Sequence, residues 1–326
     1  MEDPEEQTTG GIGEFADLFR AITDNVSKCL LGKRDAIRLA LVCMVSEGHL
    51  LVEDVPGVGK TSLAKALARS IRLDWQRIQF TPDLLPSDVV GASVFDRNRA
   101  SFEFRPGAVF ANVVLGDEIN RASPKTQSSL LEAMEERQVT VDGVTHPLPD
   151  PFVVIATQNP AEHEGTYPLP ESQVDRFLVR LRVGYPGRDA EVGMLEQAGG
   201  VAPEDLSPVA DAGDLARMVK LAAAVYVAPP LRGYLVDLAT ASRNHPSIEL
   251  GMSPRATLAL QSVARSWAAA DGREYVVPDD IKAMAGPVVA HRLVLAADAE
   301  VSGISPEDAL AEVLASVPVP SAPARR

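Results

Sequence analysis

Residues 49–68, His-Leu-Leu-Val-Glu-Asp-Val-Pro-Gly-Val-Gly-Lys-Thr-Ser-Leu-Ala-Lys-Ala-Leu-Ala, contain an apolar strand, a glycine loop and the start of a helix. Gly57 and Gly59 allow the loop backbone to turn its N–H groups toward an anion, next to the positive end of the helix dipole. Lys60 is then placed to contact the β- and γ-phosphates of a nucleoside triphosphate, and the Thr61 hydroxyl to bind Mg²⁺. The stretch predicts a phosphate-binding loop between a strand and a helix of an α/β fold.

One position departs from the strict phosphate-loop pattern. The pattern has glycine five residues before Gly59, and this sequence has Asp54 there. A carboxylate near bound phosphates repels them, so we expect the Asp54 side chain to point away from the loop. Because Asp54 precedes the tight turn, we expect nucleotide binding to survive.

Composition and charge narrow the classes of function. The 326 residues include 31 Lys+Arg and 45 Asp+Glu, a net charge of −14 that disfavours nonspecific binding to nucleic acid or anionic lipid. The N-terminal segment has no signal-peptide pattern, and no apolar run is long enough for a bilayer. Cys29 and Cys43 lie in apolar helical stretches without metal-ligand spacing, as expected of reduced core thiols. We therefore expect a cytoplasmic protein without membrane insertion and without a nucleic-acid partner.

Strands alternate with helices from residue 50 to about 186. Several strands are continuous apolar runs, which is typical of a parallel sheet covered on both faces. In such a doubly wound α/β unit, ligands bind at the carboxyl ends of the strands. The predicted strands are Leu50–Glu53, Trp75–Phe80, Val113–Asp117, Phe152–Thr157 and Leu178–Val183.

The character of the chain changes after Pro186 to Ala- and Leu-rich helices without strands. We predict an α/β domain over 14–187 and a small all-α domain over 188–316. The acidic segment 1–13 is predicted to be a disordered arm, and 317–326, which has three prolines, a loose tail.

Two hairpins interrupt the α/β domain. One lies near 92–105, where apolar and polar residues alternate around a turn, and the other near 139–147, around Asp142-Gly143. They are either ordinary surface hairpins or projections that contact a substrate.

The third predicted strand ends in two adjacent carboxylates, Asp117 and Glu118. Hydrolysis of a phosphoanhydride needs one carboxylate near Mg²⁺ and another that orients and polarises the attacking water. Asp117 suits the first role and Glu118 the second. An Asp-Glu pair after a strand is otherwise a solvated strand end, but after a phosphate loop it is the expected second half of an ATPase site.

Three further polar residues are candidates for the site. Asn159, at the end of the next strand, either contacts the attacking water or the γ-phosphate, or is a turn residue before Pro160. Arg176 either pairs with Asp175 or reaches a phosphate. Arg255 lies in the first turn of a helix, where a bound anion would explain its unfavourable position on the helix dipole.

In this order, the loop, the carboxylate pair, Asn159, Arg176 and Arg255 resemble an AAA+ ATPase. Three longer stretches resemble the MoxR family: Thr-Pro-Asp-Leu-Leu-Pro-Ser-Asp at 81–88, Asp-Glu-Ile-Asn-Arg-Ala at 117–122 and Glu-Gly-Thr-Tyr-Pro-Leu-Pro-Glu at 164–171. The resemblance covers roughly residues 15–300. It implies an AAA+ core with a five-stranded parallel sheet in the order 5-1-4-3-2, an α-helical lid and both hairpin insertions.

The resemblance also implies residue roles. The nucleotide would be bound by Leu31 and Gly32 on the adenine side and by the loop residues Pro56, Gly57, Val58, Gly59, Lys60, Thr61 and Ser62. Mg²⁺ would be bound by Thr61 and Asp117. The implied catalytic residues are Glu118 as the base, Asn159 as sensor 1, Arg176 as an arginine finger for a neighbouring subunit and Arg255 as sensor 2.

MoxR-like proteins are chaperone-like motors for clients that often carry a von Willebrand factor A domain. The resemblance thus implies an ATP-hydrolysing ring, expected to be a hexamer, that matures or activates such a client. The alternatives are the motor subunit of a metal chelatase, a DNA-translocating motor and a nucleotide-gated scaffold. A DNA motor needs basic hairpin tips, and here Arg97 and Arg99 are offset by acidic neighbours. The intact Glu118 disfavours a scaffold.

Overall fold

The computed structural model describes residues 4–55, 57–159, 166–196 and 201–320. Its internal contacts divide the chain into two compact units. One unit spans Arg20–Ala216 and contains the predicted α/β region. The other combines Met1–Phe19 with Arg217–Arg326 and is mainly helical. By contacts, residues 188–216 therefore group with the α/β unit, whereas the sequence placed the boundary at 187/188.

The strands of the described chain are β1 Leu50–Glu53, β2 Trp75–Gln79, β3 Gly91–Asp96, β4 Ser101–Pro106, β5 Val113–Asp117, β6 Gln138–Val141, β7 Val144–Pro147, β8 Val153–Gln158, β9 Val179–Leu181, β10 Ile248–Leu250 and β11 Val294–Leu295. The α-helices are α1 Pro4–Ser27, α2 Arg34–Val45, α3 Lys60–Ser70, α4 Pro86–Val90, α5 Pro124–Glu136, α6 Glu171–Val174, α7 Arg188–Glu196, α8 Ala212–Ala224, α9 Pro229–Arg243, α10 Pro254–Ala270, α11 Pro278–Val289, α12 Ala297–Val301 and α13 Pro306–Ser316. Short 3₁₀ helices lie at Ile119–Arg121, Pro203–Asp205 and Ala290–Arg292.

The main sheet has five parallel strands in the order β2-β5-β8-β1-β9. Counting only these five strands along the chain, this is the predicted order 5-1-4-3-2. The register pairs Glu53 with Gln158 and Gln79 with Asp117. The carboxyl ends of β1, β8, β5 and β2 therefore meet at one edge, and the residues that follow them share that edge.

The three central strands, β5, β8 and β1, form the buried middle of the sheet because they are mostly apolar. All five residues of β5 are buried, as are the first five of β8 and the first three of β1. Phe80, Phe152 and Phe177 fill the core against these strands. Each such side chain contributes roughly 1.5–3 kcal/mol when it is fully buried.

A buried histidine ties the sheet to α5. His49 Nδ1 accepts the Val154 N–H at 3.0 Å, so the proton of the neutral ring lies on Nε2. His49 Nε2 is 3.1 Å from the Met134 carbonyl oxygen, to which it then donates. Both polar ring atoms are satisfied, which a side chain this deeply buried requires.

Both predicted hairpins are present. The strands β3 and β4 pair antiparallel over Gly91–Pro106, and β6 and β7 over Gln138–Pro147. Phe95 and Phe102 are exposed on the first hairpin and contact each other edge to face, with ring centroids 5.3 Å apart.

Two features differ from the sequence expectations. A helix begins at Pro4, where a disordered arm to residue 13 was expected. Apolar residues at helical spacing, such as Ile12, Phe15 and Phe19, are buried and favour α1, and Pro4 suits a first helical position. The helical unit also contains an antiparallel ribbon of β10 and β11, which the expectation of helices alone missed because the two strands are only three and two residues long.

Some expectations fall on residues that the structure does not describe: Met1–Asp3 of the arm, Pro56, the stretch at 160–165, and 321–326 of the predicted tail. Cys29 and Cys43 are both buried, and neither forms a disulfide bond. Among the described residues, no helix has the length and apolarity that crossing a membrane would require.

Candidate functional site

The glycine loop after β1 has the backbone of an anion cradle. Gly57 and Gly59 have φ values of 85° and 97°, in the left-handed region that glycine adopts without strain. Gly59 is the N-cap of α3, and among the described residues no side chain caps this end. The first N–H groups of α3 are therefore left for a ligand, and an anion is the ligand that they and the helix dipole favour.

Asp54 is bonded to backbone and to Lys60. Its main-chain oxygen accepts Lys60 Nζ at 2.8 Å. Its carboxylate accepts the N–H groups of Val55, at 2.9 Å, and of Gly184. The carboxylate is thus held by two backbone donors, one next to it in the chain and one 130 residues away.

A cavity of about 530 Å³ adjoins the loop. This volume lies in the range of small-molecule sites. The wall is mostly apolar, and the glycine loop forms one end, which suits a flat base at the apolar part and phosphates at the loop. The lining residues are Cys29, Leu30, Leu31, Lys33, Gly57, Val58, Gly59, Ser62, Tyr185, Pro186, Glu191, Met194 and Leu195.

Gly32, the second adenine-side candidate, is not in the cavity wall but supports it. Its φ is +70°, and a Cβ atom at this position would lie only 2.6 Å from the Cβ atom of Ala190. Glycine thus permits the close approach of this loop to α7, which supplies part of the cavity wall.

Asp117 ends β5 at the same edge of the sheet. Its Oδ1 accepts the Thr157 hydroxyl at 2.6 Å. Its Oδ2 accepts two bonds from Arg77 on β2, at 2.6 and 3.1 Å. The guanidinium is 46% exposed and the carboxylate only 12%. Arg77 and Thr157 were not among the predicted site residues, because no motif in the sequence marks them. They reach Asp117 from β2 and β8, which lie on either side of β5.

Glu118 is held in place by backbone and side chains. Its N–H donates to Thr157 Oγ1 at 2.9 Å, and its φ of 57° lies in the left-handed region, which costs of order 1–3 kcal/mol in a residue other than glycine. Its Oε2 accepts Gln79 Nε2 and Arg121 Nη1, both at 3.0 Å. The surroundings therefore position this carboxylate at the sheet edge.

Asn159 follows β8 at the same edge and is buried. It lies between the end of β1, which leads into the loop, and the end of β5, which carries the carboxylate pair, because β8 lies between these strands. Asn159, the loop residues, Asp117 and Glu118 therefore all lie at the same edge of the sheet.

Arg176 lies in a different groove. Its guanidinium donates to the Leu131 carbonyl at 2.7 Å and pairs with Glu135 at 3.0 Å. The groove, about 490 Å³, also contains Glu132 and Glu136 but none of the loop residues. Arg255 lies exposed in the first turn of α10 in the other unit.

Comparisons with known proteins agree on one family. The family model described as "ATPase family associated with various cellular activities (AAA)" matches residues 49–179, and the AAA lid domain matches 240–313. Chaperone MoxR1 of Mycobacterium tuberculosis is 42% identical, over 98% of this chain and 86% of that protein. The chain belongs to the MoxR family of AAA+ ATPases.

Further relatives cover nearly the whole chain. Protein YeaC of Bacillus subtilis is 48% identical, over 93% of this chain and 95% of that protein. A crystal structure of a protein from Cytophaga hutchinsonii has a TM-score of 0.90 at 35% identity and covers 97% of this chain and 99% of that one. The expected MoxR-family AAA+ fold and ATPase class are confirmed. The roles of the individual residues stay predictions.

Proposed function

We propose that this MoxR-family ATPase hydrolyses ATP to ADP and phosphate and uses the cycle to mature or activate a protein client with a von Willebrand factor A domain. One observation carries the ATPase site. Gly57, Val58 and Gly59 of the glycine loop line the cavity. This loop follows β1, and Asp117 and Glu118 lie at the end of β5, at the same edge of the sheet. A nucleotide in the cavity would direct its phosphates toward that edge.

The base and the phosphates would have separate partners. Leu31 lines the apolar part of the cavity, and Gly32 permits its packing. The loop would bind phosphate through its backbone N–H groups and Lys60. Lys60 would exchange the Asp54 carbonyl for a phosphate oxygen. The predicted nucleotide ligands are Leu31, Gly32, Pro56, Gly57, Val58, Gly59, Lys60, Thr61 and Ser62.

The site also fits Mg²⁺ in the way that nucleotide sites use it. Thr61 and Asp117 offer oxygen ligands, and the described residues contain no cluster of three or more His, Cys, Asp or Glu that would hold a metal by themselves. This suits an ion that takes most of its ligands from phosphate and water. When bound, Mg²⁺ would neutralise part of the phosphate charge. Asp117 would then give up or share its exposed partner Arg77.

Glu118 is the proposed base for the attacking water, which Asn159 would help to orient. Arg176 is the proposed arginine finger. It lies in a groove apart from the loop of its own chain, which supports a role at the site of a neighbouring subunit in a ring, expected to be a hexamer. Arg255 is proposed as the sensor on the helical unit.

A protein client is favoured over nucleic acid by the hairpins. Arg99 on the first hairpin is paired with Glu103, and the tip of the second carries Asp142 and no lysine or arginine. A surface that binds a nucleic-acid strand would need lysine or arginine side chains that are not paired with carboxylates. The relative named Chaperone MoxR1 supports a chaperone role. We propose a cytoplasmic location, which two buried cysteines that form no disulfide bond support.

The proposal is tested with Glu118→Gln. The amide cannot act as a base, so we expect ATP binding to persist and turnover to fall by roughly 10²–10⁴-fold. Glu249→Gln, at an exposed position on β10, is the matched control and should behave as wild type. Equal hydrolysis by wild type and Glu118→Gln would refute the assignment.

The same variant tests the client. In the presence of ATP, the Glu118→Gln variant should stay ATP-bound and should capture a protein with a von Willebrand factor A domain. Without ATP, this capture should be lost. DNA should leave turnover unchanged. Capture that is independent of ATP, or salt-sensitive DNA binding accompanied by faster turnover, would contradict the client proposal.

A further inference from the structure

Both backbone polar groups of Gly184 are hydrogen-bonded. Its N–H donates to the Asp54 carboxylate, and its carbonyl accepts Lys33 Nζ at 2.7 Å. Lys33 also donates to the Val183 carbonyl at 2.8 Å and is only 9% exposed. A buried ammonium needs such partners, so these bonds are strongly favoured over leaving it unpaired.

Gly184 belongs to the segment 183–186, which we call the wall segment. Tyr185 and Pro186 of this segment line the cavity next to the loop. Gly184 has a φ of +66°, and Tyr185 is 73% exposed. Val183 at the start of the segment is buried, but apolar packing does little to hold Tyr185, so the position of Tyr185 depends on the bonds made to the Gly184 backbone.

Asp54 also contacts Lys60 of the phosphate loop. The main-chain oxygen of Asp54 accepts Lys60 Nζ, while its carboxylate holds the wall segment. The glycine of the strict loop pattern could provide the first contact but has no side chain for the second. The departure at this position therefore adds a bond that links the phosphate loop to the wall of the cavity.

We propose that Asp54 is a positioning residue that fixes the wall segment against the phosphate loop and so sets the affinity for the nucleotide base. The inference rests on the proposed ATP binding and deepens it. Asp54 contributes to the contact with the base, through Gly184 and Tyr185, and not to the contact with the phosphates. Lys33 holds the carbonyl group of the same residue, Gly184.

Binding of ATP and of inorganic tripolyphosphate, measured by calorimetry on the full chain, separates the two contacts. Asp54→Gly should weaken ATP about three- to tenfold and leave tripolyphosphate within about twofold, because only ATP carries a base. Asp54→Asn should lose less, because its amide oxygen can still accept the Gly184 N–H. Asp142→Gly, at an exposed hairpin position with a φ of 50°, is the matched control and should match wild type.

A double-mutant cycle with Tyr185→Ala tests the route of the effect. Tyr185→Ala should weaken ATP selectively, and adding Asp54→Gly should then weaken it little further. Full additivity would overturn the link through the wall segment. Equal weakening of ATP and tripolyphosphate would place the effect of Asp54 on the phosphate loop instead, and an unchanged or higher ATP affinity would also overturn the proposal.

Two controls keep the outcomes separate. Thermal unfolding without nucleotide shows whether Asp54→Gly folds, and Asp54→Asn gives the same comparison if it does not. If wild type binds neither ligand, the proposed function itself fails and this inference with it. If wild type binds both ligands and Asp54→Gly behaves as wild type, only this inference fails.

Discussion

The two sides of the site are built differently. On the cavity side, Asp54 and Lys33 bond to the backbone of Gly184. We call the sheet edge that carries Asp117 and Glu118 the hydrolytic edge. There, the two carboxylates bond to the side chains of Arg77, Gln79 and Arg121. One side therefore depends on main chain that the fold already orders, and the other on long side chains.

This difference determines which side of the site can rearrange when nucleotide binds. Arg77 and Arg121 are 46% and 47% exposed, so water can solvate their guanidinium groups when the carboxylates of Asp117 and Glu118 contact a metal ion or water instead. The bonds to Gly184 would be lost only with movement of the wall segment. We infer a preformed cavity side and a hydrolytic edge that rearranges when nucleotide binds.

The largest expected effect tests whether the hydrolytic edge is complete within one chain. Arg176→Ala should keep ATP binding and lose turnover by roughly 10³–10⁵-fold, the value of a charge supplied in trans in GTPase systems. Mixing Arg176→Ala with Glu118→Gln should restore part of the ATPase activity, since some sites then contain both groups. Steady-state phosphate release measures both.

The control for this experiment is independent proof that subunits exchange, for example by fluorescence transfer between labelled chains. Exchange without any recovery of activity would leave Arg176 as the partner of Glu135 and Leu131 on its own chain. The main reason to expect a ring would then be lost.

A smaller effect is expected on the phosphate side. Lys60→Ala removes a charged donor from a loop otherwise made of backbone N–H groups, so ATP affinity should fall by about 10–100-fold, or roughly 1.4–2.8 kcal/mol. Lys65→Ala on the same helix is the matched control, because Lys65 pairs with the exposed Glu204. Calorimetry with ATP measures both variants. Unchanged affinity in Lys60→Ala would mean that the loop is not the phosphate site.

The smallest effect tests the resting arrangement of Glu118. Gln79→Ala removes the hydrogen bond to Glu118 and also the one that Gln79 accepts from Arg77. The bond to Glu118 contributes about 1 kcal/mol, so the release of Glu118 should raise basal turnover up to about fivefold with ATP affinity unchanged. Gln76→Ala, at an exposed position on the same strand, is the control. A fall in turnover would show that Gln79 supports the active position of Glu118.

Particular elements show how far the sequence could lead. All five strands of the sheet were located from the sequence, several of them from continuous apolar runs, and the glycine loop and the Asp-Glu pair located the predicted site. The antiparallel ribbon in the helical unit was missed because strands of two and three residues show no usable alternation. The first residues of helix α1 were not predicted to be helical, because their acidic composition is typical of a disordered segment. The apolar residues further along α1 support the helix.

The sequence alone determined the fold class, the phosphate loop, the carboxylate pair and the MoxR resemblance, because all of these depend on residues close together in the chain. Only the tertiary structure decided the partners of those residues. Asp54 bonds to Gly184, 130 positions away, and Asp117 to Arg77, 40 positions away. Such pairs depend on which side chains meet across neighbouring strands and on the paths of the loops. Both follow from the packing of the whole unit and leave no local pattern in the sequence.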